Sequence, residues 1–493
     1  MFLLILCRDS CEIYGRVCII VSMKKIIKPV APDRHKKGGL REMWAIAMPM
    51  VISQAGFTIM TFTDRMFLSR LSMNFMNAAM AGGLTVFMMM TFFLGLTGYA
   101  TAVVAQYLGA GQKDKCAVAL TQAVIIACLA YPIILFCRPL AYGLFDFMGI
   151  IPAQLGPQKL YFDILILAAI ITLLQSCLSA FFSGVGKTKM VMIAGITSMI
   201  MNIGLNYILI FGKFGMPAMG IRGAAYGTII GSVSGLSVLL ISYLSKENFR
   251  KFNIAGSFHF SGEVMRKLLR FGYPPGLEMF LTLLAFVMMV MIFHSAGAVA
   301  AAASTIVFNW DMVSFVPLLG IEVGVTSLVG RYMGAGKPDT AHKAAMSGFK
   351  IGMVYSVLVF ILFVGFPEML AGIFHPSSAD GVFAAAIPVT VVMIRLASIY
   401  VLAEAVFVVF IGALRGAGDT FWAMFISVAL HWVLVPMLYI MLKVANIGLE
   451  TAWQAVVGMF LLFSGLVYLR YRMGRWRTIS VVKPLESPPM PIV

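Results

Sequence analysis

Two carboxylates stand inside long apolar stretches of this sequence. Asp64 lies late in PMVISQAGFTIMTFTDRMF (Pro49–Phe67), and Glu404 lies in the middle of IYVLAEAVFVVF with Tyr400 one helical turn before it on the same face. An ionised carboxylate near the centre of a membrane helix costs about 2.5–3.5 kcal/mol on insertion scales, so it persists where a partner, water or a function accompanies it. Burial in a low-dielectric site also raises a carboxyl's pKa towards the physiological range, which suits reversible uptake of a proton or a small cation. The alternative for Asp64 is an acid in water beside Arg65, because a helix beginning near Met43 and rising about 1.5 Å per residue reaches the far interface near that point. Three further acids interrupt apolar runs: Glu278 in YPPGLEMF, Glu322 in GIEVG and Asp311 in FNWDMVSF. Asp311 with Trp310, and Gln54 in the first stretch, are candidates for lining a substrate cleft. Asp163, His294 and His431 lie near the ends of apolar runs, where ordinary hydrogen bonding is the expected role, and the methionine runs (Met88–Met90, Met288, Met289, Met291) read as core or lipid-facing surface.

The elements that must carry these acids are membrane helices. Of 493 residues 61% are hydrophobic and 12% charged, more apolar surface than a water-soluble interior of this length can hide. The long apolar runs lack sustained period-2 alternation, which excludes a β-barrel and leaves helices to satisfy the backbone in lipid. About twelve spans of roughly 20 residues fit. The formal charge of +17 follows from the positive-inside rule and needs no nucleic acid. Lys36, Lys37 and Arg41 precede span 1, Arg250, Lys251, Arg266 and Lys267 occupy the central loop, and Arg470, Arg472, Arg475 and Arg477 follow span 12, so both termini are expected in the cytoplasm. The expected organisation is a cytoplasmic segment over residues 1–43, an N-lobe over 44–244, a basic linker over 245–266, a C-lobe over 267–470 and a cytoplasmic tail over 471–493. Met23, opening MKKIIKPVAPDRHKK, is a possible true start. The seven cysteines show neither a disulfide framework nor metal-ligand spacing.

The two halves repeat. Pro49 matches Pro274 (274 − 49 = 225), and the same shift carries YLGAG at Tyr107–Gly111 onto YMGAG at Tyr332–Gly336. Farther on, GVGKT at Gly184–Thr188 corresponds to GAGDT at Gly416–Thr420 with a shift of 232 (416 − 184). Six spans per half is an even number, so the halves share one orientation and form a parallel repeat about an axis along the membrane normal, an architecture of secondary transporters. The repeat aligns Glu278 with Ser53, Glu322 with Thr97 and Asp64 with Met289, so the second half carries two acids where the first has neutral polar residues.

FTDRMFLSRL after Pro49, the two GAG loops, MNIGLNYILIFG (Met201–Gly212), GIRGAAYGTIIG (Gly220–Gly231) and GALRGAGDT (Gly412–Thr420) together resemble the multidrug and toxic compound extrusion (MATE) transporters. The resemblance implies twelve helices in two six-helix lobes, a V-shaped cleft, and export of organic, often cationic compounds in exchange for Na+ or H+. It implies an N-lobe cation site at Asp64, Asn202, Asn206 and Thr228, where Asn206 replaces the family's second carboxylate; in the C-lobe Glu278 and Glu322, singled out by the repeat, join Tyr400 and Glu404 as the expected site. The Tyr400–Glu404 pair resembles the helix-10 site of one branch, whose helix-7 acid lies one turn deeper than Glu278.

The sequence thus predicts an all-α, multi-pass protein of a bacterial inner membrane. It is expected to be monomeric, with a small organic substrate, no nucleic-acid partner and no cofactor beyond Na+ or H+ as coupling ion. A flippase for a lipid-linked precursor is the alternative within transport. Such proteins usually carry a cationic cleft, whereas the mid-span charges here are mostly acidic. With no HExxH, phosphate loop or clustered ligand set, an integral-membrane enzyme is the weaker reading.

Overall fold

The computed structural model describes residues 37–147, 150–374 and 381–482, and within them the chain is helical with no strand. Met23 and the tail beyond residue 482 lie outside the described residues. The spans are α1 (Leu40–Ser69), α2 (Met73–Gly109), α3 (Lys113–Asp146), α4 (Pro152–Leu167 with Ala169–Gly184, bent by 47°), α5 (Thr188–Phe211), α6 (Ile221–Tyr243), α7 (Gly262–Ser295), α8 (Ala298–Gly334), α9 (Pro338–Gly365), α10 (Gly381–Ala417), α11 (Thr420–Val444) and α12 (Leu449–Arg472). Several run well past the stretches that hydropathy marks out, α10 by three residues at one end and five at the other. Hydropathy measures what lipid must cover, whereas the helix continues through polar ends whose backbone still bonds to itself. The bend in α4 falls at Ala168, where the Tyr131 hydroxyl donates to the Leu167 carbonyl at 2.7 Å.

Within the first half α1 packs on α5, α5 on α6 and α2 on α4; within the second, α8 and α9 pack on α10, and α10 on α12. The lobes meet through α1 against α8 and α2 against α7. Since α1 corresponds to α7 and α2 to α8, these are one contact made twice, as a two-fold axis requires, and the C-terminal part of α2 also packs on α8.

Glycines make this contact close. A Cβ placed on Gly109 would lie 1.9 Å from the Arg331 carbonyl oxygen, and one on Gly334 would lie 2.0 Å from that of Gln106. Both pairs exchange under the sequence shift (109 + 225 = 334; 106 + 225 = 331). A Cβ on Gly95 would meet the Gly276 Cα at 2.7 Å, and one on Gly320 the Val51 nitrogen at 2.5 Å, again a reciprocal pair (95 + 225 = 320; 51 + 225 = 276). The GAG loops therefore do two things: Gly111 (φ +80°) and Gly336 (φ +67°) take the left-handed turn that ends each helix, while Gly109 and Gly334 let the lobes touch backbone to backbone.

These contacts lie towards the face on which α1 begins and α12 ends. Polar links reinforce them there: Gln106 Nε2 donates to the Gly416 carbonyl at 2.8 Å, Ser327 Oγ to the Ser183 carbonyl at 2.6 Å, and Tyr332 Oη to Glu42 at 2.6 Å. Towards the opposite face α1 and α8 leave Phe57, Phe62, Met312 and Val313 exposed. Between the lobes the chain forms a short helix, Lys246–Lys251, and a 3-10 turn, Ile254–Ser257. Lys187 holds this connection to the α4–α5 loop through Glu247 and Asn248, both at 2.8 Å, and its ammonium keeps the Glu247 carboxyl below the usual range.

Candidate functional site

The N-lobe centre forms where α1, α5 and α6 converge. Four glycines at four-residue intervals on α6, Gly223, Gly227, Gly231 and Gly235, let it press against α5, the small-residue packing typical of membrane helices. A Cβ at Gly227 would sit 1.8 Å from Asn206 Oδ1, and one at Gly231 would sit 2.9 Å from the Asn202 Cβ. The glycine stripe thereby makes room for two fully buried asparagines one turn apart. Asp64 turns inwards from α1 to meet them while Arg65 stays exposed, so the acid lies inside the lobe rather than in water at a helix end.

Asn206 donates to Asp64 Oδ1 and lies 3.3 Å from Asn202 Oδ1; Asn202 in turn donates to Thr228 Oγ1 at 3.3 Å. The Thr228 hydroxyl donates to the Ala224 carbonyl and lies 3.5 Å from Asp64 Oδ2. Asn206 Oδ1 is buried with no partner. One carboxylate, two amides and a hydroxyl thus meet, with the Asn206 Nδ2 facing Asp64 and Asn202 and its unpartnered Oδ1 against Gly227; with that amide reversed the four groups offer only oxygens, the kind of set hard cations take.

The C-lobe acids separate into two centres. Asp311 of α8 lies against Tyr400 and Glu404 of α10. Glu404 and Tyr400 are each 2% exposed, and Asp311 Oδ1 and Glu404 Oε2 are buried without a hydrogen-bond partner. Like charges brought together in a low-dielectric interior repel, so the pair can take up a proton or a small cation.

Glu278 and Glu322 stand elsewhere, joined by a residue that sequence reading missed. Arg415 Nη2 lies 2.8 Å from Glu278 Oε2, and Nη1 pairs with Glu322 Oε1, so one guanidinium bridges α7, α8 and α10. On α8, Glu322 follows Asp311 by eleven residues; on α10, Arg415 follows Glu404 by eleven (322 − 311; 415 − 404). Eleven residues is about three turns and 16 Å, so the parallel helices carry two polar rungs on one shared face. The repeat held the signal for Arg415, since its partner under the 232-residue shift is Ser183 (183 + 232 = 415). In the N-lobe the three positions read Ser53, Thr97 and Ser183.

The substrate-cleft candidates do not come together. Trp310 donates its indole N–H to the Leu370 carbonyl at 3.0 Å and packs edge-on against Phe374, away from its neighbour Asp311, which belongs with Glu404. Gln54 is half-buried on α1, one residue from Ser53. His294 bonds to Thr305 and His431 to the Ser427 carbonyl, and Asp163 pairs with Arg138 at 2.8 Å. The four described cysteines are free thiols.

The MatE family model matches the chain twice, over residues 49–208 and 274–440. The matches begin 225 residues apart and end 232 apart (274 − 49; 440 − 208), the two shifts of the internal repeat. Similar proteins include a probable multidrug resistance protein NorM of Thermotoga maritima, 27% identical, covering 90% of this chain and 94% of its own length. The multidrug resistance protein PmpM of Pseudomonas aeruginosa is 28% identical, covering 89% of this chain and 90% of its own. Among solved structures, an outward-facing MATE family transporter of the MOP superfamily superposes with a TM-score of 0.80 at 21% identity, over 88% of this chain and 95% of its own. A Pyrococcus furiosus MOP superfamily transporter gives 0.81 at 20% identity, over 88% and 95%, and these likenesses speak to the fold. The chain belongs to the MatE family, the multidrug and toxic compound extrusion transporters.

Proposed function

We propose that this chain exports organic cations in exchange for Na+ or H+ by alternating access of its two lobes. The observation that carries the reading is a buried acid centre in each lobe with no cationic side chain paired to it among the described residues: Asp64 with Asn202, Asn206 and Thr228, and Asp311 with Glu404 and Tyr400. Such centres favour a bound proton or monovalent ion, and a cationic cargo competes for the same charge. An ion that binds the state open to the outside more tightly than the opposite state shifts the population towards it by that difference in affinity, and so drives release. The basic residues flanking α1, α7 and α12 support cytoplasmic termini in a bacterial inner membrane. A lipid-precursor flippase is not favoured, because Arg415, the cation buried among the C-lobe acids, is already held by two of them.

The test is efflux of a fluorescent organic cation from proteoliposomes, with a Na+ gradient and a pH gradient imposed separately. One gradient is expected to drive efflux, and Asp64→Asn or Glu404→Gln to reduce it at least tenfold. No movement under either gradient by folded protein would overturn the reading and turn attention to labelled lipid-linked precursors. Gly227→Ala is expected to act like Asp64→Asn in this assay, because the new methyl displaces Asn206 from the acid. Gly204→Ala, on α5 with no atom within 4 Å of the added carbon, is its control and is expected to retain efflux.

A further inference from the structure

After α12 the described chain, through residue 482, stays packed on the protein. Arg470 clamps the α10–α11 loop through Asp419, with bonds of 2.7 and 3.0 Å. Trp476, 1% exposed, stacks on Tyr471 at 5.0 Å and donates to its carbonyl at 2.9 Å, which anchors the end of α12 in the C-lobe core. Within six residues the chain then enters a different core: Val481 and Val482, 4% and 3% exposed, bury in the cluster built mainly from α2, α3 and α4 of the N-lobe, with Ile479 packed against it. Val481 reaches within 2.5 Å of where a Cβ on Gly418 would stand. Residues 480–482 line a cavity of about 370 Å³ with Gln112 and Lys115 of the N-lobe and Glu263 and Lys267 of α7. This segment crosses the seam between the lobes on the face where Gln106, Ser183, Ser327 and Glu42 already tie them together.

We propose that residues 479–482 are a latch that holds this face closed and must leave the seam in every transport cycle. The proposal rests on the alternating-access reading, under which this face opens by parting α2 and α3 from α7. Val481 and Val482 are buried in the joint between those elements, so opening strips them from it. A clasp of small aliphatic side chains suits the purpose, since its burial is modest and the ion pair beside it, Lys115–Glu263 at 3.2 Å, is largely exposed and costs little to break.

Two staples test it, in protein whose other cysteines are replaced. Lys115→Cys with Ser480→Cys joins the tail to the N-lobe; Ser183→Cys with Ser327→Cys joins the lobes directly at their seam. Each cross-link is verified by mass, and efflux is measured before and after reduction. The expected result is that both staples lower efflux at least tenfold and that reductant restores it. A complete tail staple with undiminished efflux, while the seam staple blocks, overturns the latch and leaves alternating access standing. Undiminished efflux with the seam staple complete overturns alternating access and the latch with it. Where the tail pair fails to fold or cross-link, Val481→Asp in a Ser183→Cys background decides: at least fivefold faster labelling by an impermeant maleimide from the terminus-bearing side supports the latch, and unchanged labelling overturns it.

Discussion

Replacing Arg415 with alanine is expected to destabilise the folded protein by about 3–5 kcal/mol, the cost of removing one partner from a buried ion pair. Glu278 and Glu322 have side chains only 5% and 12% exposed, and their shared counter-charge is Arg415. Without the guanidinium, two carboxylates on α7 and α8 face each other across a site that water barely enters. The large effect comes from what is left behind, because desolvation of each acid is no longer offset. The informative comparison is therefore the triple variant Glu278→Gln, Glu322→Gln, Arg415→Met, which removes all three charges and keeps much of the volume. It is expected to unfold close to the wild type, since exchanging a buried ion triad for neutral groups is often neutral or favourable. Thermal unfolding of purified protein in detergent measures both variants. A cost for Arg415→Ala within about 1 kcal/mol, the range of solvent-exposed pairs, would show that water screens the triad.

The triad also marks where sequence reading stops. Composition and the repeat led to twelve spans in two parallel lobes because both are sums over many residues, and single errors average out. Asp64 was legible as a carboxylate late in an apolar run, where the insertion penalty singles it out even beside Arg65. Its partners were not legible from physics alone. Asn202 and Asn206 are unremarkable on a polar-tolerant helix until Gly227 and Gly231 are seen to admit them, and that depends on which face of α6 meets α5. Glu278 and Glu322 stood out for the same reason as Asp64 and were grouped with Glu404, yet they gather on Arg415, three turns from Asp311 and Glu404 along α8 and α10. An acid's meaning depends on its nearest cation, and Arg415 entered the sequence reading only as part of GALRGAGDT, with no acid assigned to it. The first half offered a correction: Ser53, Thr97 and Ser183 are polar and neutral together, so their counterparts are charged together. Asp311 was misgrouped with Trp310 because neighbours in sequence point in different directions on a helix.

Gly109→Ala and Gly334→Ala are each expected to open the face on which the lobes meet. The added carbon would stand 1.9 Å from the Arg331 carbonyl oxygen in the first case and 2.0 Å from that of Gln106 in the second. Both obstacles are backbone in long helices, so no side-chain rotation relieves them and the lobes must separate. Overpacking of this kind costs about 1–3 kcal/mol or more. The cost falls on the closed state and is absent once the lobes part, so it acts as a population shift of roughly tenfold for each 1.4 kcal/mol. Labelling of a cysteine at position 183 from the terminus-bearing side should accelerate by at least that factor, and efflux should fall as the closed state becomes rare. Gly98→Ala is the control, since a Cβ at Gly98 on the same helix has no atom within 4 Å. The pair also tests the symmetry. Gly109 and Gly334 meet at one crossing of α2 over α8, so once either variant has forced the helices apart the second methyl meets little resistance, and the double variant should cost less than the sum. Full additivity would mean that the two contacts yield independently, and the lobes would then not move as rigid halves about the two-fold axis.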